Sequence, residues 1–138
     1  MSEYQRDKGR SEGWRVRRRK KYRKAKRLIP TLALARRDGA RSYAEIAAWL
    51  REHNFHRPKN KPWTKSSLYD FCQIEVTQYR DIDQEHAERV QNAKDHLDGP
   101  ALEKELKAFE SQRLRKMAMA KRVGELLRTG ITGEIPED

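Results

Sequence analysis

The sequence predicts an all-α protein: a three-helix unit with a disordered basic arm in front of it and a C-terminal pair of long helices behind. Three observations predict this. From Leu28 onward apolar residues recur at helical spacing, the stretches are separated by capping and breaking residues, and the first 27 positions are dense in like charge with few apolar residues. The expected segments are a flexible arm over 1–27, a compact unit over 28–73, a helical hairpin over 74–130 and a flexible tail over 131–138.

The arm includes the run GWRVRRRKKYRKAKR at 13–27. Thirteen Lys and Arg face only Glu3, Asp7 and Glu12 in residues 1–27, a net of +10 out of +11 for the whole chain. Such repulsion opposes compaction, so the segment is expected to be flexible alone, its last part turning helical when a counter-charge arrives. A solubilising tail or a nuclear import signal is the plain reading. The sharper one is a polyanion-binding arm, because Trp14 and Tyr22 can stack on bases or sugars while Arg15, Arg17, Arg18, Arg19, Lys20, Lys21 and Arg23 neutralise phosphates.

Leu28, Ile29, Leu32 and Ala35 share one side of a helix whose first turn would hold Pro30, and Gly39 stands where a left-handed residue ends it. In SYAEIAAWLREHN, Ser42 and Glu45 have capping-box spacing. Tyr43, Ile46, Ala47 and Leu50 make an apolar stripe opposite Glu45 and Glu52, and Asn54 suits a left-handed stop.

The stretch RPKNKPWTKSSLYDF, 57–71, reads as a rigid connector and a helix start. Pro58 and Pro62 push Arg57 and Lys61 to extended geometry, Asn60 supplies a turn with positive φ, and Thr64 is the N-cap. Leu68, Phe71 and Cys72 give the next helix an inward face. Lys65, Ser66, Tyr69 and Gln73 fall on a different side, and the N-terminal amides behind Lys59 and Lys61 favour a phosphate.

Residues 42–71 resemble the helix-turn-helix that follows the catalytic domain of serine recombinases and resolvase-like proteins, where S-Y-x-E-I-A-x-W-L precedes R-P-x-G-K-P-W-T and a second helix. The resemblance implies a three-helix DNA-binding unit whose last helix enters the major groove, with Lys65, Ser66, Ser67 and Tyr69 facing DNA. Asn60 stands where the family often has Gly. Twenty-seven residues, thirteen of them Lys or Arg, stand where the recombinase catalytic domain would be, so strand cleavage is not implied.

Beyond residue 74, Val76, Tyr79, His86, Val90, Ala93 and Leu97 recur near a 3.6-residue period, with Ile82 beside them. DGP at 98–100 breaks the run. Leu102, Leu106, Phe109, Met117, Ala120, Val123 and Leu127 then form a second stripe that Arg113 interrupts. These helices either enlarge the core or pair two copies of the chain, and pairing would set two reading heads about 34 Å apart on DNA.

Catalytic and cofactor chemistry finds little support. His53, His56 and Cys72 lack a metal-ligand spacing, and Asp81, Asp83 and Glu85 read as a solvated acidic face rather than a nuclease centre. No metal and no cofactor is expected, and the chain is read as non-enzymatic. One cysteine excludes an internal disulfide, and no apolar run approaches the ~18 residues that span a bilayer. The expectation is a cytoplasmic, nucleoid-associated, DNA-binding homodimer, a regulator or accessory factor of a phage or plasmid element. Arg15, Arg17, Arg18, Arg19, Lys20, Lys21, Arg23, Lys59, Asn60, Lys61, Thr64, Lys65, Ser66, Ser67, Tyr69 and Gln73 are its expected DNA contacts. The rivals are an RNA-binding protein with an arginine-rich arm, and an adaptor that recruits a partner protein through 74–130.

Overall fold

The computed structural model describes residues 3–132, and their side chains from residue 12 to 131. The protein is all-α: α1 is Glu3–Arg37, α2 Tyr43–Glu52, α3 Lys65–Cys72, α4 Ile74–His96 and α5 Gly99–Thr132. The described residues contain one small antiparallel ribbon, β1 (His56–Arg57) paired with β2 (Lys61–Pro62), in the register His56 to Pro62 and Arg57 to Lys61.

Residues 3–27 are not a disordered segment but the greater part of α1, which continues through Pro30 to Arg37. Lys, Arg and Ala are good helix formers, so the obstacle to helicity is charge rather than propensity. That obstacle falls where Arg18 is buried against a carboxylate and Ala25 packs inward. Pro30 therefore lies inside a helix instead of in a first turn. Its ring removes one backbone donor, and nearby the Thr31 hydroxyl donates to the Arg27 carbonyl at 3.4 Å.

The chain forms two compact units, each discontinuous in sequence, where consecutive segments were expected. One contains Met1–Tyr22 with Glu75–Lys121, and the other Arg23–Ile74 with Arg122–Asp138. Within the first, α4 and α5 run antiparallel, with Lys116 on Glu85 at 3.1 Å and Arg89, further along α4, on the earlier Gln112 of α5 at 2.5 Å. The buried face of α4 has the expected period but a different phase. Val76 is exposed, whereas Gln78, Ile82, Glu85 and Ala93 are buried. Glu85 is thus no part of a solvated acidic face.

Charge explains why a carboxylate can occupy that inner stripe. Glu85 meets Arg18 at 2.5 Å, Lys116 at 3.1 Å and Arg89 at 3.8 Å, so three bases surround one acid. Burial pushes the Glu85 carboxyl up, but the Arg18 bond and charge, joined by Lys116, outweigh it and hold the group below the ordinary carboxylate value. Burial also draws the Lys116 ammonium down, and Glu85 only partly offsets this.

In the second unit Leu32, Ile46, Leu50, Leu68, Leu127 and Ile131 are fully or nearly fully buried. Gly130 lets α5 approach α1 closely, since a Cβ built there would stand 3.0 Å from the Leu32 Cβ. The expected tail over 131–138 begins with Ile131, 2 % exposed and inside α5, while 133–138 lie outside the described residues.

Several boundaries follow local chemistry. α1 ends with Gly39 at φ 107° and bonds from Gly39 to Arg36 and from Ala40 to Ala35. α2 ends the same way on Asn54 at φ 61°, with Asn54 donating to Arg51 and Phe55 to Leu50. Both are Schellman closures, which satisfy carbonyls that the helix leaves free. Gly99 at φ 54° and Pro100 make the break between α4 and α5.

Candidate nucleic-acid interface

The candidate interface lies in the unit containing α2, the ribbon and α3. Ser42 caps α2 by accepting from the Glu45 amide at 3.1 Å, while the Glu45 carboxylate accepts from the Arg41 amide at 2.9 Å. Ile46, Ala47 and Leu50 bury the inner side of α2 against the α3 side that carries Leu68 and Cys72. The Trp49 indole donates to Asp38 at 2.8 Å and stacks on Phe55, so this ring serves packing rather than an outside ligand.

The ribbon is built by its prolines. Arg57 and Lys61, each before a proline, have φ/ψ of −72°/165° and −76°/139°, the extended geometry that the ring imposes. Asn60 has φ 56° as its residue type suggests, and Lys59 beside it has φ 63°. Lys59, Asn60 and Lys61 all stand exposed around the turn. The exit from the ribbon is held twice: Arg51 donates to the Trp63 carbonyl at 2.7 Å, and the Trp63 ring meets Phe71 edge-on at 5.5 Å.

Thr64 starts α3 through a reciprocal box with Ser67. The Thr64 hydroxyl accepts from the Ser67 amide at 3.1 Å, and the Ser67 hydroxyl accepts from the Thr64 amide at 2.8 Å. These two side chains are occupied with the helix start, so they position the outward face rather than belong to it. Thr64→Ala is expected to cost about 1 kcal/mol of folding free energy, seen as a lower urea midpoint. At the other end Arg128 donates to the Cys72 carbonyl at 3.1 Å, a cation at the negative end of α3.

What α3 presents outward is Lys65, Ser66, Tyr69 and Asp70. The Tyr69 ring is 51 % exposed yet steadied from one side by Tyr43, at 5.3 Å and 67°. Gln73 is half-buried at the α3 C-cap. It is therefore less accessible than the helical wheel alone implies.

The basic residues of α1 divide into distinct environments. Arg18, expected on phosphate, is 5 % exposed and held by Glu85, which corrects its assignment. Arg15 is half-buried and pairs with Glu12 at 3.4 Å, and the Arg17 guanidinium lies 4.4 Å over the Trp14 ring. Arg19, Lys20, Lys21 and Arg23 are exposed. So are Lys24, Lys26 and Arg27, which the sequence shows in the same run.

Among the described residues no three His, Cys, Asp or Glu side chains are grouped to hold a metal ion, and Cys72 is buried. No helix among them is long and apolar enough to cross a membrane. The chain matches no protein-family model, no curated protein and no solved structure.

Proposed function

We propose that the chain is a non-enzymatic, sequence-selective double-stranded DNA-binding protein, a regulator or accessory factor of a mobile element such as a phage or plasmid. In this reading α2 and α3 act as a helix-turn-helix, with the ribbon as an enlarged turn. α3 enters the major groove, Lys59 and Lys61 grip the backbone beside it, and the exposed bases of α1 add affinity. One observation carries the reading: α3 buries Leu68 and Cys72 while leaving Lys65, Ser66 and Tyr69 outward next to a stiff cationic turn. The resemblance of residues 42–71 to recombinase helix-turn-helix regions supports the same reading.

Self-association through 74–130 belongs to the proposal. Val90, Leu97, Leu102 and Leu106 are only half-covered, and Leu114 is 55 % exposed, apolar surface that a second copy would cover.

The test compares a selected duplex, a random duplex and a structured RNA. The full chain should prefer the selected duplex by about 10³-fold or more over the random one. Lys65→Ala and Tyr69→Ala should each narrow that gap by roughly tenfold. Equal weakening on every duplex would remove α3 from base reading, and tighter binding to the RNA would overturn the duplex assignment.

A further inference from the structure

One residue on the outward face of α3 does not fit a phosphate-binding surface. Asp70 is exposed four positions after Ser66, about one helical turn on, which places these two side chains on the same side of the helix. Its carboxylate makes no ion pair or hydrogen bond among the described residues. The position is also poor for the helix itself. Asp70 lies in the last turn, where the backbone dipole disfavours negative charge, and no base of α3 shares that turn.

We propose that Asp70 is a specificity-determining residue that reads an exocyclic amine in the major groove, preferentially the N4 of a cytosine. This rests on the reading of α3 as a groove-entering helix and adds what it selects. A carboxylate accepts hydrogen bonds and donates none, so phosphates and the O6/N7 edge of guanine repel it. Amine donors in the major groove come from cytosine N4 and adenine N6. Adenine sets its amine beside the N7 acceptor, which a carboxylate cannot satisfy, and this favours cytosine.

Lys65, exposed in the first turn of α3, supplies the opposite chemistry, a pure donor suited to guanine O6/N7. The carboxylate thereby acts in two ways. It gains a bond at the correct base pair, and at any other site it brings uncompensated negative charge against DNA. Selectivity rises while general affinity falls.

The experiment selects from a randomised 20-base-pair duplex library with the full chain and with Asp70→Asn and Asp70→Ala, then measures affinities on the winning and scrambled duplexes. The wild-type motif should hold one position restricted to cytosine on one strand. There Asp70→Asn should turn towards adenine, whose N6/N7 edge an amide satisfies, and Asp70→Ala should lose the preference. The discrimination at stake is about 5- to 100-fold at that position, with the rest of the motif kept. Scrambled duplexes should bind the two variants about 2- to 10-fold tighter. Removing a charge from the wrong end of α3 should raise the melting temperature of both, so a changed motif would not reflect misfolding.

An unchanged motif with uniformly tighter binding would overturn the inference and leave the DNA-binding reading standing. Salt-dependent binding with no motif even for the wild type would defeat that reading, and the role of Asp70 with it.

Discussion

Glu85→Ala should lower folding stability by about 3–5 kcal/mol, read from urea denaturation followed by circular dichroism. The substitution removes one carboxylate and leaves Arg18, 5 % exposed, without its counter-charge, with Arg89 and Lys116 repelling it. The loss is therefore much larger than that of a surface ion pair. Replacing Glu85 and Arg18 together by apolar residues should recover most of it, because the cost lies in the orphaned charge rather than in the absence of a pair.

The same cluster sets a pH dependence. The Glu85 carboxyl sits below its ordinary value of 4.5, so its contribution is fully present above that pH and disappears as pH falls through the lower folded-state value. Wild type should lose stability over that acid interval more steeply than Glu85→Gln. A Glu85→Ala protein as stable as wild type would mean that Arg18 finds solvent or another acid without cost.

The second large effect concerns salt. With about 6–10 phosphates engaged, raising salt from 50 to 200 mM should weaken duplex binding by about 10³- to 10⁵-fold. Replacing Arg17, Arg19, Lys20 and Lys21 together by Ala should reduce the slope of log affinity against log salt by about 3 to 4, near 0.9 for each lost contact. Arg18→Ala should leave that slope unchanged and reduce stability instead, since its guanidinium is spent on Glu85. Fluorescence anisotropy over a salt series distinguishes the two. An unaltered slope in the fourfold variant would take these bases out of DNA contact.

The contrast between Arg18 and its neighbours shows where the sequence is legible. Within RVRRRKK nothing local separates Arg18 from Arg17 or Arg19. Its burial depends on Glu85, 67 positions later, and on the phase in which α4 turns. That phase is hidden because a helical wheel ranks Glu85 and Gln78 as outward, and three converging bases alter the ranking for Glu85. The continuity of α1 through Pro30 is hidden for a similar reason, since burial of Leu28, Leu32 and Ala35 overrides a local breaker.

Many signals that act over a few residues are legible, although Lys59 joins Asn60 at positive φ and Glu45 accepts from the Arg41 amide rather than from Ser42. Gly39, Ser42, Asn54, Asn60, Thr64 and Pro100 each occupy the cap, turn or helix start that their chemistry suggests. The outward set on α3 was half legible: Lys65, Ser66 and Tyr69 follow from the wheel, and so would Asp70, which a search for cations and donors passes over. The removal of Thr64 and Ser67 from that face needed the hydrogen bonds themselves. The enlistment of Leu127 and Ile131 in the same unit as α2 and α3 needed tertiary packing.

The turn between β1 and β2 has one more consequence. Two adjacent L-residues, Lys59 and Asn60, hold left-handed backbone between prolines at 58 and 62. Freezing a loose segment costs about 1–2 kcal/mol per residue. Here folding bears that entropy loss in advance, so whatever meets the two lysines encounters a shape already made and need not spend its own binding energy on ordering it.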